Sequence, residues 1–345
     1  MANVTMKTNE VNFDANRYHV MLYGINHIDS QLEDYLRENI LFSVFAPEDS
    51  KTGEEFILPW IYLRKVSAIK NKKYDVCKKD SGGRILESRD FSHIMRFMDG
   101  NTLEEHFELV VDNGSDYDKS CILASVNLVA CMLRVRGFKF ITPLITSMPY
   151  ARIFDGDNIS KVDIDLLEDA GINETDFSNR ALELEDLQWI QNNIYWYFNQ
   201  FCLGNNEFEL PIEMLYASIF SSSPRTKIAS LFSGIDALIK TPPNNISKIV
   251  IKSLQVFGGI SRNNAGKYWG DSIGRNKMIH GVKNTKSELE ISTRINDVRD
   301  CFCKMLQYFI ERQILPNIEN ITQILEKYSI EYLDVDICPH CEGEL

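Results

Sequence analysis

The stretch SLFSGIDALIK, residues 230–240, places Leu231, Phe232, Ile235, Leu238 and Ile239 at the spacing of one helix face. Ile228 extends the stripe upstream. Ser223 before Pro224 supplies an N-cap followed by proline at the first helical position, and Pro242-Pro243 stops the helix. This segment therefore predicts a buried helix, and its neighbours repeat the pattern. Leu184, Leu187, Ile190, Ile194, Tyr197 and Phe201 form an earlier stripe, with Glu183, Glu185 and Asp186 at its dipole-positive end. A helix is expected over 211–220, another from Asn245 to Phe257 closed by Gly258-Gly259, and a long one from Ser287 to Leu315. The long helix carries Ile291, Ile295, Val298, Phe302, Leu306 and Phe309, and Pro316 closes it; a last helix is expected over 317–328. Residues 182–328 thus read as an all-α bundle, with 260–270 as a loop leading to a short helix over 271–281.

Toward the N-terminus the texture changes. The runs Tyr18–Tyr23, Ile40–Phe45, Phe56–Val66, Phe107–Val111 and Phe138–Thr146 are short and rich in β-branched and aromatic residues. Polar turn segments such as EDSKTGEE and KKDSGG separate them, as between strands. A helix is expected to start near Gln31, capped by Asp29 or Ser30, and another to run from Asp118 to Arg136 and stop at Gly137. No nucleotide-binding glycine fingerprint or nucleophile elbow occurs in this half. The expected organisation is a flexible tail over 1–15, a mixed α/β domain over 16–150, an acidic connector over 151–181, the bundle over 182–328 and a tail over 329–345. The fold class is α+β.

Composition narrows the function. Of the 345 residues 44% are hydrophobic, enough for real cores, and the longest apolar stretch, Cys121–Leu133, is broken by Ser125 and Asn127. No membrane span is expected. MANVTMKTNEVNFDANR has no apolar core of a secretory signal, and the eight cysteines lack the spacing of a disulfide framework. A cytoplasmic protein with reduced thiols is expected. A net charge of −12 argues against bulk electrostatic wrapping of nucleic acid. A nucleic-acid partner would have to be met locally, and Arg262, Lys267, Arg275, Lys277 and Lys283, with Tyr268 and Trp269 among them, are one candidate patch, the alternative being a solvated loop with ordinary surface lysines.

Within that patch, GDSIGRNKMIHGV, residues 270–282, holds the sharpest chemical signal. Arg275 is always cationic, and His280, five positions on, exchanges a proton near neutral pH. On an ideal helix of ~100° per residue, Met278, Ile279 and Val282 share the core side, while Asn276 and His280 share a flank. Such a set can hold a phosphate and move protons around it: Arg275 on the scissile phosphate, His280 as general base or acid, and Asn276 positioning either. Lys277, Asp236 and Tyr268 are the candidate substrate-binding residues.

Arg275-Asn276 followed by His280-Gly281, with the earlier helix LFSGIDALI, resembles the Apea-like branch of the HEPN superfamily. The resemblance covers about 182–328, and Asp236 stands where that branch usually has Glu. It implies a HEPN-like bundle and a metal-independent endoribonuclease, often a toxin or anti-phage effector, built as a homodimer with a composite site. One histidine does not easily serve as both base and acid, which also favours a dimer. The alternative is a non-catalytic dimerising module whose N-terminal domain senses a phage or host component. No cofactor is expected for catalysis. Cys338 and Cys341 form half of a structural zinc site, with Cys77, His340 or a second chain as completers.

Overall fold

The structure, a computed structural model, describes residues 17–25, 27–32, 42–44, 60–66, 78–79, 85–86, 106–112, 119–142, 144–147, 164–168, 177, 180–202, 206–240, 246–270, 287–317, 319 and 321–326. The chain is α+β and divides into two compact units, Met1–Arg134 with Phe138–Phe198, and Val135–Gly137 with Asn199–Leu345.

The first unit is built on an antiparallel six-stranded sheet. Its strands are β1 (Arg17–Met21), β2 (Phe42–Val44), β3 (Trp60–Val66), β6 (His106–Asp112), β7 (Leu144–Thr146) and β8 (Ile164–Leu166), in the order β2-β3-β6-β1-β7-β8. A separate two-stranded ribbon pairs β4 (Lys78–Lys79) with β5 (Ile85–Leu86). Register sorts the side chains into two faces, because directly opposed residues project the same way. Val20 lies opposite Leu109 and Ile145, and Leu63 opposite Leu109. All four are buried, as a core face requires. The other face holds buried polar groups among apolar ones. His19 lies opposite Val110 and Thr146, and Arg64 opposite Glu108. The Glu108 carboxylate is ion-paired with Arg64 and lies 3.4 Å from His19 Nδ1.

Helix α1 (Lys119–Val135) follows β6 and closes at Gly137, whose φ of 94° few other residues adopt cheaply. Near its end the buried Arg134 donates to the Phe140 carbonyl (3.1 Å) and to Glu168 (2.7 Å); Glu168 also accepts from the Thr142 amide at 2.7 Å. Two expectations are corrected here. The segment 151–181, read as a connector, contributes the edge strand β8, which pairs Leu166 with Leu144 and Ile164 with Thr146. Helix α2 (Leu184–Cys202), expected to open the bundle, belongs to the first unit as far as Phe198. Its start is tied there by backbone: Leu182 donates to the His27 carbonyl at 2.8 Å and accepts from the Asp29 amide at 3.0 Å. Arg180 grips the buried Asp186 with bonds of 2.6 and 2.8 Å.

In the second unit, α3 (Glu209–Phe220) packs along α4 (Pro224–Ile239), α4 packs on α7 (Glu288–Arg312), and α5 (Ile246–Val256) packs on α6 (Arg262–Gly270). Helix α4 forms as its sequence predicts: Ser223 caps it by accepting from the Thr226 amide, Pro224 sits in its first turn, and Lys240 ends it at φ 54°. Ile228, Leu231, Phe232, Ile235, Leu238 and Ile239 are all buried. Each such side chain contributes roughly 1.5–3 kcal/mol relative to exposure. Helix α7 starts from a capping box in which Ser287 and Glu290 satisfy each other's backbone amides, and it stops at the left-handed Gln313. Its buried face includes Ile291, Val298, Phe302, Leu306 and Phe309.

One local expectation fails in this unit. Residues 260–270, read as a loop, contain α6. Asn263, Asn264, Gly266 and Gly270 are poor helix formers, so local propensity hides the helix. Tertiary packing wins instead: Ala265 and Trp269, four apart, are both buried, and Trp269 meets Phe232 edge-on at 5.9 Å. The expectations for 1–15, for a helix over 271–281 and for the tail 329–345 lie outside the described residues.

Candidate functional site

Helices α6 and α7 form two walls of a cleft of about 880 Å³, within the roughly 300–1,000 Å³ range of ligand clefts. On the α6 side Asn263, Asn264 and Lys267 line it, positions i, i+1 and i+4 of one helix face. Gly266 and Gly270 lie along the same wall, and a methyl group added at either would meet nothing within 4 Å. The wall is therefore low. Leu289, Glu290, Thr293 and Arg294, from the first two turns of α7, face it.

Three interactions hold the walls together, two of them through Tyr268. Its hydroxyl donates to Asp297 Oδ2 at 2.5 Å. The Arg294 guanidinium lies 4.5 Å from the centre of the Tyr268 ring, and its Nη1 donates to the Lys267 carbonyl at 3.3 Å. Burial pushes the Tyr268 phenol up to about 12, and the bond to the Asp297 carboxylate adds to the shift, while Arg294 opposes it. Near neutral pH Tyr268 is thus an uncharged donor committed to Asp297. What it can still offer a ligand is ring surface.

The charge in the cleft is arranged by the same contacts. Glu290 is occupied by the cap, its Oε2 lying 3.2 Å from both the amide and the hydroxyl of Ser287. Lys267 is exposed, whereas Arg294 is buried. The α7 N-terminus adds its partial positive charge at the same end.

Of the residues singled out by sequence, Tyr268 lines this cleft and Asp236 is half-buried on α4. Phe232, one turn before Asp236, touches Trp269 beside Tyr268, so α4 and α6 meet at this point. Arg275, Asn276, Lys277 and His280 lie in 271–286, and Cys338 and Cys341 in the tail; all six are outside the described residues. Chain connectivity alone relates the first four to the cleft: 271–286 leaves from Gly270, a lining residue, and rejoins at Ser287, two residues before Leu289.

Sequence reasoning missed Asn263, Asn264, Thr293 and Arg294. The first two were hidden by the loop reading. Arg294 would have been reachable from its spacing, one turn after Glu290 and one before Asp297 on the flank of the α7 stripe. Among the described residues no group of three or more His, Cys, Asp or Glu could hold a metal ion, and no helix is long and apolar enough to cross a membrane. Compared with family models, with curated proteins and with solved structures, the chain matches none.

Proposed function

We propose that this protein is a metal-independent endoribonuclease whose site is Arg275, Asn276 and His280 on a HEPN-like bundle, acting as a toxin or anti-phage effector. The observation that carries the reading is a cleft whose lining includes Gly270, where the motif-bearing segment departs, and Leu289, two residues after Ser287, where it rejoins. An acidic chain places Lys267 and Arg294 there, cations of the kind that suit a phosphodiester.

The chemistry is an in-line transfer. The ribose 2′-oxygen bonds to the adjacent phosphorus as the bond to the 5′-oxygen breaks, leaving a 2′,3′-cyclic phosphate and a 5′-hydroxyl. One imidazole takes the 2′-OH proton and a protonated one returns a proton to the departing oxygen. Arg275 holds the phosphate oxygens through its planar fork and offsets the charge that builds on them. His280 of a second copy supplies the second imidazole, so the active species is a homodimer. Lys277, Asp236 and Tyr268 are the proposed substrate-binding residues.

The test is cleavage of end-labelled RNA by the purified chain in excess EDTA. Products ending in a cyclic phosphate are expected. RNA left intact by a folded, dimeric protein over a broad substrate panel would refute the reading and favour a binding module.

A further inference from the structure

We infer that the α6/α7 cleft is a binding subsite for single-stranded RNA, with Lys267 on a backbone phosphate and Asn263 and Asn264 on the edge of an unstacked base. The inference deepens the ribonuclease reading and rests on it for the choice of RNA.

Asn263 and Asn264 are exposed, and each amide carries both donors and an acceptor, the equipment that reads a base edge. Lys267 stands one turn on from Asn263 on the same helix face. Glu290, the acidic group on the opposite wall, is bonded to Ser287 and its charge sits at the positive end of α7. Repulsion of a phosphate is reduced accordingly. Leu289 is 77% exposed at the rim and offers apolar surface that a base could cover. The low wall at Gly266 and Gly270 gives a flat base room to enter. Arg294, held by Tyr268 and the Lys267 carbonyl, keeps the walls apart at a fixed spacing and needs no rearrangement when the ligand arrives.

The experiment measures fluorescence anisotropy of a short labelled single-stranded RNA with the full chain. His280→Ala is the background, so that cleavage does not interfere. The variant Asn263→Ala/Asn264→Ala/Lys267→Ala keeps its fold, since alanine is the better helix former at exposed sites. It should bind about tenfold more weakly, and its log–log salt slope should be shallower by about 0.7, one phosphate contact on a single strand. Lys304→Ala removes the same charge from an exposed site on α7 outside the cleft and should bind as the parent does. Equal loss in Lys304→Ala, or none in the triple variant, overturns the inference; RNA cleavage by wild type would still stand in either case. Binding lost in the triple variant while wild type cleaves nothing would retire the ribonuclease reading and leave the subsite. Absence of both binding and cleavage would sink both.

Discussion

The Tyr268 hydroxyl donates to Asp297 Oδ2 at 2.5 Å, joining α6 to α7 at the base of the cleft. Tyr268→Phe removes that donor while keeping the ring beneath Arg294. Loss of one such half-buried bond should cost about 1 kcal/mol, read as a lower melting temperature at pH 7. The pH dependence has a definite sign. The folded-state phenol, pushed up to about 12 from its ordinary 10.0, stays protonated longer than in the unfolded chain. Its contribution is complete below pH 10 and is lost as the pH rises toward 12. The melting-temperature gap between wild type and Tyr268→Phe should therefore narrow across that window. A gap that widens there would contradict the assignment.

Gly234 lies where α4 meets α7. A β-carbon there would fall against Phe302 Cζ, within 2.6 Å of Phe302 Cε1 and 3.0 Å of Met214 Cβ. Phe302 is fully buried and has little room to retreat. Gly234→Ala should destabilise the protein by about 1–3 kcal/mol despite the better helix propensity of alanine. Urea denaturation measures it, and a stabilised variant would show that the two helices do not meet as described.

Much of this was legible in sequence, and the failures have physical causes. Every member of the α4 stripe proved buried, because six apolar residues at helical spacing between Ser223-Pro224 and Pro242-Pro243 leave one solution. The α7 stripe was equally clear, except that Ile295 is only half-buried. Strands β1, β3 and β6 follow from runs of five residues or more. Strand β8 has three residues in an acidic segment, too few to set a period, and its partners β7 and, through Glu168, Arg134 are distant in sequence. Helix α6 was hidden because Asn263, Asn264, Gly266 and Gly270 oppose helix locally, while Ala265 and Trp269 favour it only through distant partners. The cleft was invisible for the same reason. Its two walls are separate in sequence, and the link between them is a tyrosine hydroxyl that reads as a surface group.

Cys131, Cys301 and Cys303 are buried, and burial holds their thiols protonated. It pushes Cys131 up to about 11 against the opposing Tyr197 hydrogen bond and Arg134 charge. Cys303 is pushed up to about 12, and Cys301 is raised as well. Alkylation depends on the thiolate and on access. Iodoacetamide at pH 8 should therefore leave these three unmodified in the native protein and label them once urea unfolds it, as read by peptide mass spectrometry. Rapid native labelling of Cys301 would contradict the packing of α7.

His280 carries the proposed cleavage, and RNA cleavage in EDTA measured beside thermal unfolding, both on His280→Ala, tests that role most directly. On the helix expected from sequence, His280 lies off the side shared by Met278, Ile279 and Val282, so truncation should leave stability unchanged within about 0.5 kcal/mol. No detectable cleavage is expected at an unchanged melting temperature, with Arg275→Lys also inactive because an ammonium lacks the planar fork. A stably folded His280→Ala that cleaves RNA as fast as wild type would contradict that role.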